Sequence, residues 1–335
     1  MKYKRLGNSD LKVSIIGLGT GQFGSIHWGY GSKYKENDFL KIVHSAIENN
    51  INLFDTSETY SDGLSEIILG KALKEYNRED FIIISKVAPW NLKYEKVIKA
   101  ADRSLKRLNT DFIDIYMVHY PNPLVPLKET CKALEDLVKK GKIKNIGVSN
   151  FPSFLLKNVQ KELSYDIIAN EIEYNLVSRR AKQNTIPFCR SENISLIAYS
   201  PLARGVLTGK YSKGNPPDDR ARAFYIFSCK KFLKKIQPLL RRLQEIAEEK
   251  EASVAQIALS YIINEEPFIT IPACLSEDEI RINAKAPDIN LNSKDINSIN
   301  SVSVQPALLS YLFDNLLMRP ISWIKEAIRH SFIDE

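Results

Sequence analysis

The chain has 335 residues, 44% of them apolar, and its three Trp, 14 Phe and 15 Tyr are enough to fill a sizeable core. A net charge of +7 admits anionic ligands but is modest for this length, and with no nucleic-acid-binding module in sight nucleic acid is not an expected partner. Cys131, Cys189, Cys229 and Cys274 lie far apart without a CxxC pair, which argues against a zinc site or a disulfide framework and for a reducing, cytoplasmic setting.

The N-terminal MKYKRLGNSDLKVS is polar, without the apolar centre of a secretory leader, and no apolar run reaches the roughly 18 residues a membrane helix needs. A soluble protein without a membrane partner is expected. Two short strand-like pieces, YKRLG and LKVS, flank the turn NSD and predict a hairpin that plugs one end of the fold. Strand-like runs then follow at 15–20, 52–56, 81–87, 113–119, 143–149, 167–174, 195–200 and 268–272. They are short apolar blocks, as expected of strands buried on both faces. Helical patterns lie between them: DFLKIVHSAIEN, SEIILGKALKEY, YEKVIKAADRSLKRL, LKETCKALEDLVKKG, SFLLKNVQKEL, a polar stretch near 179–193, and VAQIALSYII, with DEIRINAKA after the eighth strand. Eight strands alternating with eight helices predict an α/β chain folded as a (β/α)8 TIM barrel, with a doubly wound sheet as the alternative.

Three other features sit around this repeat. The densest basic run, KKGKIK at 139–144, straddles a helix end and the next strand, where cations suit the helix terminus and the solvated surface. Residues 203–250 form a long insertion that begins with Gly and Pro, and long loops at the carboxyl ends of barrel strands usually act on ligands. Two amphipathic patterns separated by Pro320 end the chain. The expected division is therefore a barrel over residues 1–301 and a helical extension over 302–335 that packs on the barrel or on a partner subunit.

The chemistry gathers at strand ends. Asp55-Thr-Ser-Glu-Thr-Tyr60 runs from a strand into a loop, FIIISK ends in Lys86, and IDIYMVH ends in His119. In a parallel barrel the carboxyl ends of the strands face one way, so groups scattered in sequence converge on one site.

The motifs RLGNSDLKVS with GLGT, DTSETY with GLSEIILGKAL, SKV, DIYMVHYP, GKIKNIGVSNF, EYNL, AYSPLARGVLTGKY and IPACLSEDEIRIN follow one another in an order that resembles the aldo-keto reductase family over roughly residues 3–300. The resemblance implies a barrel, an NAD(P)H-dependent carbonyl reduction or its reverse, and Asp55, Tyr60, Lys86 and His119 as the catalytic tetrad. In that role Tyr60 donates a proton, Lys86 lowers the pKa of the phenol, Asp55 holds Lys86 charged, and His119 aims the carbonyl. It also implies that Ser149 and Asn150 bind the nicotinamide carboxamide, that Tyr199 stacks on the ring beside Gly19, Thr20 and Ser200, and that Leu202, Arg204, Gly205, Leu207 and Gly209 cover the pyrophosphate. No GxGxxG follows the first strand, so the dinucleotide would lie across the barrel mouth and not on a Rossmann helix.

Two departures stand out. Glu171 replaces the usual Gln, and a carboxylate there accepts from the carboxamide but cannot donate. In the adenosine region, Ser276, Glu279 and Asn283 stand without the expected basic groups, and Glu279 would repel a 2′-phosphate unless Arg281 bends inward. NADP is implied first, with NAD as the alternative. Phe23, His27, Trp28, Trp90 and Tyr120 are the candidate substrate-pocket aromatics for a small carbonyl or alcohol. Two other functions compete: a cofactor-binding regulatory subunit resembling the potassium-channel β subunits, and a Schiff-base aldolase using Lys86. A monomer and a homo-oligomer are equally compatible.

Overall fold

The computed structural model describes residues 1–212, 214–215, 230–265 and 268–304. Strands β1 (Tyr3–Arg5) and β2 (Lys12–Ser14) form the expected antiparallel hairpin. The sheet proper comprises β3 (Leu18–Gly19), β4 (Leu53–Asp55), β5 (Ile82–Val87), β6 (Ile113–Val118), β7 (Ile143–Ser149), β8 (Ile167–Glu173), β9 (Ser195–Tyr199) and β10 (Phe268–Ile271). Neighbours follow chain order from β3 to β10, and every pairing is parallel. The first strand meets the last through Gly17 N donating to Thr270 O at 2.8 Å, Thr270 N to Ile15 O at 3.0 Å and Gly19 N to Pro272 O at 3.2 Å. The sheet therefore curls into a nearly closed (β/α)8 barrel.

The helices are α1 (Glu36–Glu48), α2 (Leu64–Leu73), α3 (Tyr94–Leu108), α4 (Leu127–Lys139), α5 (Ser153–Glu162), α6 (Thr185–Ser191), α7 (Lys230–Lys235), α8 (Gln237–Glu249), α9 (Val254–Ile263), α10 (Glu277–Ala284) and α11 (Ser293–Val302). Local chemistry sets several of their ends. Ser253 and Gln256 form a capping box at the start of α9, with Ser253 Oγ accepting from Gln256 N at 3.2 Å and Gln256 Oε1 from Ser253 N at 2.8 Å. Asn109, at φ 52, closes α3 in the left-handed conformation that Asn tolerates. The polar stretch expected as a helix over 179–193 yields only the seven residues of α6, because Asn175 and Ser178 pair with each other and a 3-10 turn at Arg180–Lys182 takes the intervening chain.

Each strand alternates between two apolar layers. One side of the barrel wall packs against the helices through residues such as Phe54, Ile83, Val87, Tyr116, Val118, Ile146, Leu196 and Phe268. The other side fills the barrel with Leu53, Ile82, Ile84, Ile115, Met117, Ile168, Ala169, Ile197, Ile269 and Ile271. Leu6 and Val13 of the hairpin, both fully buried, belong to the inner layer and form its floor. Burying one such side chain is worth about 1.5–3 kcal/mol, so the hairpin is part of the core.

The basic run after α4 is a surface feature. Lys142 pairs with Asp102, and Lys144 Nζ lies 4.6 Å from the centre of the Phe112 ring. Among the described residues, no helix is long and apolar enough to cross a membrane. The extension expected over 302–335 falls outside the described residues beyond 304, as do 213 and 216–229 of the long insertion.

Candidate active site

The period of two that packs the inner layer also aims the site. On each strand the inward column runs from an apolar residue to a polar one at the carboxyl end: Leu53 to Asp55, Ile84 to Lys86, Met117 to His119, Ala169 to Glu171 and Ile197 to Tyr199. All five polar residues therefore face the same mouth. Above them opens a cavity of about 530 Å³, a size suited to a small-molecule site.

Lys86 is at the centre. Its Nζ is fully buried and ion-paired to Asp55; it donates to Thr56 O at 3.0 Å and to Tyr60 Oη at 3.4 Å, and it lies 3.3 Å from Glu171 Oε2. Burial alone would lower its pKa, but Asp55 and Glu171 outweigh that and hold the ammonium above its ordinary value. Tyr60 reaches the cavity from the turn after β4, where Ser61 and Asp62 adopt positive φ and Gly63 (φ 86) leads into α2. Burial raises the phenol; the Lys86 charge opposes this, and Asp55 and Glu171 reinforce it, so the net direction is upward. The Lys86 contribution has the sign expected from the sequence, and burial exceeds it. One ammonium shared by two carboxylates cannot offset the desolvation of the phenolate.

His119 stands edge-on to Tyr60, with ring centroids 5.7 Å apart, and stacks on Tyr120 at 5.1 Å. Its Nδ1 meets Ser57 Oγ at 3.0 Å and Thr59 Oγ1 at 3.2 Å, and these hydroxyls fix the ring. Neither was singled out from the sequence, although both lie inside the DTSETY segment.

The remaining sequence candidates divide into three groups. Gly19, Glu171, Tyr199, Ser200, Leu202, Arg204, Gly205, Glu279, Asn283, Trp28 and Tyr120 line the cavity. Another set stands behind that lining. Thr20 is buried and donates from Oγ1 to Asp55 O at 2.8 Å, supporting Asp55 from the rear. Asn150 donates to His119 O at 3.2 Å and to Ser149 Oγ at 2.9 Å, and it accepts from Tyr199 Oη at 2.9 Å. Leu207 is buried in the core, Gly209 turns the chain at φ 79, and Ser276 caps α10 by accepting from Glu279 N at 3.2 Å.

The third group is not where the sequence suggested. Phe23 is fully buried against Phe39, ring centroids 4.5 Å apart, because it belongs to the layer beneath α1 and not to the substrate mouth. Trp90 and His27 also lie outside the cavity lining. Arg281, invoked as a possible rescue for a phosphate, instead pairs with Asp278 on the exposed side of α10.

Among the cavity residues not singled out from the sequence, two make polar contacts across the barrel mouth. Lys210, from the loop after β9, pairs with Glu279 at 3.1 Å and places a basic group beside Glu279, where the sequence suggested none. Gln22 donates to Cys274 O at 2.8 Å and keeps a buried Oε1 without a hydrogen-bond partner beside the cavity. Neither carries a local signal, since each meets its partner only across the barrel.

Comparison with known proteins agrees with this geometry. The Aldo/keto reductase family model matches residues 15–304. An uncharacterized oxidoreductase of Mycobacterium tuberculosis (strain H37Rv) is 37% identical over 284 residues, 84% of this chain and 87% of that protein. An NADH-specific methylglyoxal reductase of Escherichia coli K12 is 29% identical over 317 residues, 88% and 96% of the two chains. The structure of an aldo/keto reductase from Klebsiella pneumoniae in complex with NADP and acetate superposes with a TM-score of 0.73 at 26% identity, over 91% of this chain and 96% of that one.

Proposed function

The chain belongs to the aldo/keto reductase family, and from that premise we propose that it reduces a small aldehyde or ketone to the alcohol, or runs the reverse, with Tyr60 as the proton donor. The contact that carries the reading is Tyr60 Oη at the cavity wall, 3.4 Å from the Lys86 ammonium.

The cavity suits a nicotinamide dinucleotide. Tyr199 offers an aromatic face, Glu171 and Gln22 keep buried oxygens beside the cavity, and Arg204 with Lys210 brings positive charge for phosphates. When bound, a reduced nicotinamide supplies the hydride. The protein's part is to place the carbonyl oxygen and deliver a proton as that oxygen becomes negative. Tyr60 is suited to this because its environment keeps the phenol protonated. Lys86 stabilises the phenolate left behind, and Asp55 with Thr56 O stops the ammonium from swinging away. His119, its ring held by Ser57 and Thr59, aims the carbonyl at the phenol.

The same ion pairing disfavours the aldolase reading. A Schiff base needs a neutral amine, whereas Lys86 is locked as an ammonium between two carboxyl groups. A regulatory subunit would bind nucleotide without turnover.

NADPH is the first reading for the cofactor, with Lys210 as the partner of a 2′-phosphate. The Lys210–Glu279 pair favours a second reading, NADH, because a plain ribose leaves the pair intact and lets Glu279 accept its hydroxyls. Fluorescence titration of both nucleotides decides between them.

The activity is tested by NADPH and NADH oxidation over a panel of small aldehydes, including methylglyoxal. Tyr60→Phe is expected to lose about 10²–10⁴-fold in kcat while nucleotide affinity is retained. An unchanged rate refutes Tyr60 as the acid, and binding without turnover by the native protein supports the regulatory alternative.

A further inference from the structure

The barrel mouth holds one more acid than proton donation by Tyr60 requires. Glu171, on β8, is buried, and its Oε2 has no hydrogen-bond partner beyond the 3.3 Å contact with Lys86 Nζ. Asp55 and Glu171 both contact Lys86 Nζ, which places the two carboxyls beside each other. Two carboxylates and one ammonium, all buried, would leave an uncompensated negative charge, so such a pair keeps one proton between its members. Asp55 has the closer hold on Lys86. Burial, followed by repulsion from Asp55, raises Glu171 well above the ordinary carboxyl range.

We propose that Glu171 is a positioning residue that stands in the site as a neutral carboxylic acid hydrogen-bonded to Asp55, and that losing its proton in alkaline solution weakens Tyr60 as an acid. The proposal rests on the reading of Tyr60 as proton donor. The groups facing Tyr60 are Lys86 on β5, Asp55 on β4, Glu171 on β8 and His119 after β6. Glu171 faces Asp55 and Lys86, and its neighbours across the sheet are Ser149 on β7 and Ile197 on β9, with Tyr199 two residues beyond.

With the proton in place, Lys86 forms a one-to-one pair with Asp55, and the rest of its charge acts on the phenol. When Glu171 releases that proton through the cavity it lines, a second carboxylate draws on the same ammonium. The contacts of 3.3 and 3.4 Å through Lys86 Nζ hold the new charge within about 7 Å of Tyr60 Oη, close enough to disfavour the phenolate. With part of that penalty felt in the transition state, the rate falls about tenfold.

Infrared titration of the ligand-free protein tests the protonation directly. Native protein at neutral pH is expected to show a carboxylic-acid carbonyl band that fades in alkaline buffer and is missing from Glu171→Gln. If the substitution removes a carboxylate band instead, or if native protein shows no acid band to titrate, the proposal is overturned. The pH profile of kcat/KM for carbonyl reduction tests the consequence. In alkaline buffer the native rate should fall about tenfold while Glu171→Gln keeps its neutral rate until the phenol itself ionises, and superimposable profiles overturn the link to Tyr60. Absence of turnover in the native enzyme would refute the reductase reading instead, and the infrared titration would still decide the state of Glu171.

Discussion

Removing the charge of Lys86 is the most searching single perturbation of this molecule. Lys86→Met keeps an unbranched side chain of similar length in the same slot, so packing changes little and the effect is electrostatic. The native ammonium is fully buried and touches Asp55, Glu171, Thr56 O and Tyr60 Oη. Its loss leaves two buried carboxyls and an orphaned carbonyl. Breaking a buried ion pair from one side costs about 3–5 kcal/mol. In domains of 150–250 residues each kcal/mol shifts Tm by roughly 2–4 °C, so a drop of about 6–10 °C is expected for this larger chain. The pH dependence has a definite sign. Carboxyls whose folded pKa is raised destabilise the native state as pH climbs from the ordinary carboxylate range toward their folded values, and the penalty fades below that range. Lys86→Met should therefore fall progressively further below native as pH rises from about 4.5 to neutrality, and approach it below about pH 4.5. Scanning fluorimetry across that range checks this. A variant as stable as native at neutral pH would mean that the buried carboxyls do not need the Lys86 ammonium to balance them, and the account of the site would fail.

Further outcomes test the cofactor end and the floor. Glu279→Gln frees Lys210 from its 3.1 Å partner. NADPH affinity should then rise roughly fivefold, about 1 kcal/mol, while NADH affinity stays level or falls. Equal shifts for both nucleotides in fluorescence titration would remove Glu279 from the choice between them. Leu6→Ala empties part of the floor and should cost about 2–5 kcal/mol in chemical denaturation, with kcat per folded molecule unchanged. A loss of kcat at full folding would instead tie the hairpin to catalysis.

The barrel was legible because every strand is a short apolar block bounded by turn residues, and because the parity of Ile82, Ile84 and Lys86, or of Ile115, Met117 and His119, is written directly in the sequence. The meeting of Asp55, Lys86, Tyr60 and His119 at one mouth followed from that parity and from motif order. Chemistry that depends on distance across the ring was not legible. The meeting of Lys210 with Glu279 spans 69 residues, and that of Gln22 with Cys274 spans 252. Phe23 has the composition of a pocket residue, and only the placement of α1 over it shows that it is core. The sequence names the charges around Tyr60, and with them the sign of the Lys86 effect, but not how deeply the phenol and both carboxyls are buried.

The hairpin carries a wider consequence. Leu6 and Val13 close the amino end of the barrel, so access of solutes and protons is left to the opposite rim, where the strand-to-helix loops emerge. Robustness and specificity thus occupy opposite poles of one molecule. Evolution, or an engineer, can rewrite the rim for a new carbonyl compound while the sealed pole goes on holding the ring together.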